Sequence, residues 1–160
     1  MTNNERRQSA RGAQLRLSVP PDPRLGAYVR QELLAFTEAN GIRDADVSDF
    51  MAAIGEALAN AIEHAHTLEP IEVTAWLLDD RLFAAVRDRG IGFPVSDRSL
   101  AKSLPDAFAE RGRGLPIMQR FADVCTVRSA PGEGTRVTLG LHVNRNRAAA
   151  TPHSLQRCAG

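Results

Sequence analysis

Glu56 and Asn60 stand one helical turn apart in GEALANAIEHA (55–65), and Asp88, Gly90 and Gly92 follow in VRDRGIGF (86–93). Residues four apart on a helix are neighbours on its surface. Asn offers a hard oxygen to Mg²⁺, a cation that keeps several waters and takes few protein ligands. A Glu one turn earlier can position a water or accept a hydroxyl proton. An Asp anion only accepts hydrogen bonds, so Asp88 suits an exocyclic amine such as that of adenine. Gly90 and Gly92 would let backbone pass close to a flat ligand. Gly112, Arg113, Gly114 and Leu115 precede a helix start, where free backbone N–H groups bind phosphate. Gly134 and Thr135 lead into a last strand.

Each feature has a plainer reading. Glu56 and Asn60 fit a solvated helix face, DRGIG a turn, GRG a hinge and PGEG a hairpin turn. The surroundings of Glu56 count against mere solvation. Ala52, Ala53, Gly55, Ala57, Ala59 and Ala61 are small, whereas a solvated face usually carries long charged residues. Gly55 costs about 1 kcal/mol against Ala inside a helix, which suggests a close approach to the backbone there. GRGLP is neither a dinucleotide fingerprint, which needs a third glycine, nor a Walker A loop. His64 and His66 are two apart and point in different directions, and HExxH is absent, which argues against zinc.

The elements that must position these residues follow from periodicity. QLRLSV (14–19) alternates as a half-buried strand, and PPDP breaks regular structure. Helices are expected over 25–39, stopped by Asn40-Gly41, and over 45–65, with Asp44 or Asp46 as its cap. In the second helix Val47, Met51, Ile54, Leu58, Ile62 and Ala65 fall on one narrow stripe at about 100° per residue, to be packed on the sheet. Glu56 and Asn60 then lie near the opposite side. Residues 72–88 read as a hairpin turning at Asp79-Asp80, 114–122 as a short helix, and 123–130 and 135–143 as strands. Strands joined by short turns imply an antiparallel or mixed sheet with helices segregated to one face. The expected class is α+β, a two-layer α/β sandwich with a mixed, mostly antiparallel sheet.

Composition sets the remaining bounds. The 160 residues favour one domain, carry a formal charge of +1, and are 43% hydrophobic and 24% charged. That balance gives no general electrostatic reason for nucleic acid or a membrane surface. No apolar run reaches the roughly 18 residues of a membrane span, and the N-terminus lacks a signal-peptide core, so a cytoplasmic protein is expected. Cys125 lies in a strand-like run and Cys158 near the C-terminus, an arrangement unlike a disulfide framework. Residues 1–13 are expected to be flexible, 14–143 to form the folded domain, and 144–160 to be a disordered tail.

Taken together, E-x-x-x-N on a helix, DxGxG after a strand, GRGL opening a helix and GT before a final strand resemble the N, G1, G2 and G3 boxes of the GHKL, or histidine-kinase-like, ATPases. GEALANAIEHA, VRDRGIGF and GRGLPIMQRFAD resemble one branch, the anti-sigma factor serine/threonine kinases and related switch kinases. The resemblance covers about residues 14 to 142. It implies a histidine-kinase-like ATPase fold, ATP and Mg²⁺ as cofactors, Asn60 on Mg²⁺, Glu56 as catalytic base and Asp88 on the adenine amine. Gly90 and Gly92 would shape the base pocket. Gly112 and Gly114, with Arg113 and Leu115 in the same segment, would hold phosphates. Thr135 would support the adenine end, and the segment between Gly92 and Gly112 would be the lid. The implied activity is that of a protein-serine/threonine kinase that binds a sigma factor and phosphorylates an anti-anti-sigma (STAS-domain) protein. No direct nucleic acid is expected, and a homodimer is. The alternatives are a nucleotide-dependent binding module with little turnover and a switch kinase that activates a phosphatase.

Overall fold

The structure, a computed structural model, describes residues 13–42, 46–94 and 114–143. Strand β1 (Gln14–Val19) leads through a single 3₁₀ turn (Pro23–Leu25) into helix α1 (Gly26–Ala39) and then helix α2 (Asp46–His64). Strands β2 (Ile71–Leu78) and β3 (Arg81–Arg87) follow, then helix α3 (Gly114–Phe121) and strands β4 (Val124–Ala130) and β5 (Gly134–His142). The five strands form one sheet in the order β1-β2-β3-β5-β4, and all four pairings are antiparallel. The expected α+β two-layer class holds, with an antiparallel ladder throughout the described residues. None of the described helices is long and apolar enough to cross a membrane.

Local chemistry explains the boundaries. PPDP does not simply break the chain: Asp22 accepts from the Arg24 N–H at 2.9 Å, Pro23 occupies the first position, and the 3₁₀ turn forms there. α1 ends where Gly41 takes φ 73° and the Ile42 N–H returns to the Thr37 carbonyl at 3.0 Å. Leu78 pairs with Arg81 across Asp79-Asp80, and Asp79 holds φ 52°, a left-handed conformation that Asp tolerates. Asp46 is the first residue of α2, and Asp44 lies outside the described residues.

Strand alternation divides the sheet into two faces. Ile71, Val73, Ala75 and Leu77 of β2 are buried, whereas Glu72, Thr74 and Trp76 between them are half-exposed. Leu82, Val86, Val127, Val137, Leu139 and Leu141 continue the buried face, and the helices cover it. Full burial of a side chain such as Leu82 or Ile54 contributes about 1.5–3 kcal/mol. α2 lies at the centre of the helical layer, in contact with α1, α3, β3 and β5. Its buried arc is accordingly wider than one stripe. Val47, Met51, Ile54, Leu58 and Ala65 are buried as expected, Ile62 only partly, and Phe50, Ala53, Ala57 and Ala61 are buried as well. Asn60 therefore sits at the margin of the buried arc rather than opposite it.

Candidate functional site

The chain after β3 is held on both sides by backbone hydrogen bonds. Ile91 N–H donates to the Ala65 carbonyl just past α2 at 3.0 Å, and Gly132 N–H donates to the Ile91 carbonyl at 2.7 Å from the β4–β5 turn. Asp88 is buried, 5% exposed, at the junction. Its Oδ1 accepts from Gly90 N–H at 2.9 Å and Thr135 N–H at 3.2 Å, while its own N–H donates to the Thr135 carbonyl at 2.9 Å. Both side-chain bonds fall on Oδ1. Oδ2 is left as the acceptor for whatever enters the adjacent space.

The glycines of this loop serve that packing. A Cβ on Gly90 would meet the Ala65 carbonyl oxygen at 2.1 Å, and one on Gly92, at φ 58°, would meet that of Ala130 at 2.0 Å. Gly134, at φ 76°, would meet the Asp88 carbonyl oxygen at 2.2 Å. In this structure the glycines make room for other backbone, that of Ala65, Ala130 and Asp88. Gly55 is the opposite case: nothing lies within 4 Å of a Cβ built there, so the fold itself places no steric demand on it.

A cavity of about 150 Å³ opens between the end of α2 and this loop. Asn60, Asp88, Gly92 and Thr135 line it, together with Ala57 and Ala61, whose small side chains leave the space. The Asn60 carboxamide has a buried Nδ2 with no hydrogen-bond partner, an orphaned polar atom at the cavity wall. An unpaired buried polar atom costs about 1–3 kcal/mol. Glu56, half-buried one turn earlier on α2, is not among the lining residues. Gly90 is buried behind the loop and likewise does not line the cavity. Gly114 and Leu115 open α3, while Gly112, Arg113 and residues 95–111, which include most of the expected lid, lie outside the described residues.

Several participants escaped the sequence reading. Ser129 Oγ accepts from Phe93 N–H at 2.9 Å and donates to the Gly134 carbonyl at 2.9 Å, and it lies 2.9 Å from Thr135 Oγ1. With the Ser129 proton on Gly134, the Thr135 hydroxyl is the donor of the third bond. Alternation on β4 could have pointed to it, since Ser129 shares the core-facing side with Val127 and a polar residue there needs partners. His64 and His66 line the cavity as well, His66 with φ 51°. Among the described residues no group of three or more His, Cys, Asp or Glu side chains could hold a metal ion by itself. A cation here would need a site completed by water and ligand oxygens, the mode natural to Mg²⁺ beside one carboxamide.

A family model described as a histidine kinase-like ATPase domain matches residues 19–141. The anti-sigma F factor of Caldanaerobacter subterraneus subsp. tengcongensis is 29% identical over 125 residues, spanning 76% of this chain and 87% of that protein. The serine-protein kinase RsbW of Bacillus velezensis is 28% identical over 142 residues, spanning 83% and 88%. The crystal structure of the RsbU and RsbW domains of a Mycobacterium tuberculosis protein superposes with TM-score 0.64 at 23% identity. That match covers 83% of this chain and 33% of the longer one, and it shows a shared fold. The chain is thus a member of the histidine kinase-like ATPase family, in the branch of the anti-sigma factor kinases.

Proposed function

We propose that the chain is an ATP-dependent protein-serine/threonine kinase that restrains a sigma factor and phosphorylates a STAS-domain anti-anti-sigma protein. The observation that carries this reading is the convergence on one cavity of the Asp88 carboxylate, Thr135 and the unpartnered Asn60 carboxamide. Membership of an ATPase family and relatives named as an anti-sigma factor and a serine-protein kinase support it.

In this reading Oδ2 of Asp88 accepts a hydrogen bond from the adenine amine, while Oδ1 stays with Gly90 and Thr135 and keeps the carboxylate oriented. Thr135 and Ser129 hold the loop against which the base lies. Asn60 would present its carboxamide oxygen to Mg²⁺ after a rotation that exchanges its two ends. Mg²⁺, when bound, supplies neutralisation of phosphate charge. Gly112, Arg113, Gly114 and Leu115 would bind the phosphates, as the family resemblance implies. Glu56 takes the proton of the incoming serine or threonine hydroxyl. The oxygen–phosphorus bond to the acceptor forms as the bond from the γ-phosphorus to ADP breaks. A homodimer, with Mg²⁺-ATP as its cofactor, completes the proposal.

Calorimetric titration with Mg²⁺-ATP tests the site, using the wild type, Asp88→Asn and Asn60→Ala. Binding by the wild type is expected to weaken about 10- to 150-fold in Asp88→Asn and to lose its Mg²⁺ dependence in Asn60→Ala. Phosphate transfer from labelled ATP to candidate STAS-domain proteins, abolished in Glu56→Ala, tests the activity. Glu56 lies off the cavity wall, and this favours one second reading. If ATP binds and no STAS-domain protein is labelled, the chain is a nucleotide-dependent binding module. Capture of a phosphatase instead of a sigma factor would make it a switch kinase.

A further inference from the structure

The face of the sheet turned away from the helices is strongly cationic although the chain as a whole carries only +1. Register places Arg87, Arg136 and Arg128 directly opposite one another on β3, β5 and β4. Neighbouring strands are about 4.8 Å apart, and like charges directly opposite across strands are destabilising. All three side chains are exposed. The Glu72 carboxylate, opposite Arg87 on β2, lies 4.0 Å from Arg87 and 2.8 Å from Arg89; the Arg89 hydrogen bond first, then the charges of Arg89, Arg87 and Arg136, hold its pKa below the usual carboxylate range. Among the described residues no carboxylate forms an ion pair with Arg128 or Arg136. Arg16 on β1 adds a further cation, and a groove of about 510 Å³ is lined by Arg16, Arg87, Arg136, Glu72 and Trp76, with Arg128 next to it, opposite Arg136. Glu72 offsets part of the repulsion at Arg87, whereas the directly opposed Arg136 and Arg128 repel each other with no carboxylate among the described residues in ion-pair contact.

We propose that this open sheet face docks a carboxylate-rich segment of a protein partner, seated on Arg128 and Arg136 and flanked by Trp76. Charge complementarity selects that occupant. A second copy of the chain would bring the same arginine row. The chain's own termini carry Arg6, Arg7 and Arg11 at one end and Arg145, Arg147 and Arg157 at the other, and so are cationic too. Nucleic acid is the less suitable anion. Trp76 and Phe83 are stacked on each other, ring centroids 5.4 Å apart and 12° from parallel, so their facing surfaces are not free to stack on bases. The inference does not depend on the activity assigned to the cavity, which lies on the helical side of the sheet.

Trp76 is the sole tryptophan and sits in the groove, so its emission reports occupancy. The full chain is titrated with a short oligoglutamate at low salt, in parallel with Arg128→Glu/Arg136→Glu. The wild type is expected to bind with a change in Trp76 emission that salt weakens. The double variant is expected to bind at least about tenfold more weakly. Its Tm is expected to stay close to that of the wild type, because the reversal turns the Arg87–Arg136 repulsion into an attraction while positions 128 and 136 remain like-charged. Should the reversed pair fail to fold, Arg128→Gln/Arg136→Gln gives the same comparison. Equal binding by wild type and variant, or no emission change, overturns the proposal. So does tighter binding of oligothymidylate than of oligoglutamate, which would assign the face to nucleic acid. Self-association of the wild type that the variant abolishes, without oligoglutamate binding, would assign it to a second copy.

Discussion

Asp88 has two tasks that a substitution can separate. Oδ1 satisfies two backbone donors, while Oδ2 has no protein donor among the described residues and Asp88 lines the cavity. In Asp88→Asn the amide oxygen can still accept from Gly90 and Thr135, but the second position becomes a donor. Nucleotide affinity is expected to fall by about 1.5–3 kcal/mol, the worth of a hydrogen bond to a charged group, with little change in Tm. Asp88→Ala leaves both N–H groups unpaired and is expected to cost about 1–3 kcal/mol of stability as well. Paired calorimetry and thermal melts distinguish the two. Cys125 offers a second test at this scale. Burial pushes its thiol above the usual range, so the thiolate fraction at neutral pH is small. Alkylation by iodoacetamide is expected to be slow in the folded chain and to accelerate sharply in denaturant. Asp88, Asn60 and Thr135 were legible as candidates because their side chains have few uses in those contexts. Ser129 was not, because its role rests on joining two segments, Phe93 in the loop after β3 and Gly134-Thr135 at the start of β5.

At the scale of the element, two glycines have opposite meanings. Gly55 on α2 has open space where a Cβ would be, and a glycine inside a helix costs about 1 kcal/mol against alanine. Gly55→Ala is therefore expected to raise stability by roughly 0.5–1 kcal/mol in urea unfolding. Unchanged stability would mean that the helix gains nothing from the added methyl. Gly90→Ala places a Cβ against the Ala65 carbonyl, rigid backbone that cannot rotate away. It is expected to displace the loop from α2, cost about 1–3 kcal/mol, and abolish nucleotide binding. The helices and strands themselves were readable from periodicity. The width of the buried arc on α2 was not, because a single-stripe reading assumes one packing partner and α2 has several.

For the whole molecule, ligand binding and folding are linked. If Mg²⁺-ATP binds the folded chain alone, a concentration a hundredfold above Kd adds about 2.7 kcal/mol of stability. The expected rise in Tm should shrink markedly in Asp88→Asn, in line with that variant's weaker affinity, and scanning calorimetry checks both. Acid stability has a defined sign at one surface pair. The Glu72 carboxyl, ordinarily near 4.5, is held lower in the folded chain by the Arg89 guanidinium. Its contribution is present above the unfolded value and is lost as pH falls through the folded one. Because both side chains are well exposed, that contribution is under about 1 kcal/mol, and Glu72→Gln should show it at neutral pH and lose it in acid.

The amino-acid sequence by itself determined the element order, the helical and strand periods, the α+β class and the candidates Glu56, Asn60, Asp88 and Thr135, because these depend on side-chain spacing and local backbone preference. Tertiary structure alone decided that Asp88 bonds to Thr135, forty-seven positions away, and that Gly90 fits against Ala65. It also decided that three arginines from three strands share one register. Each of these is a contact between segments far apart in the chain, and strand order and register, which no local pattern encodes, bring them together.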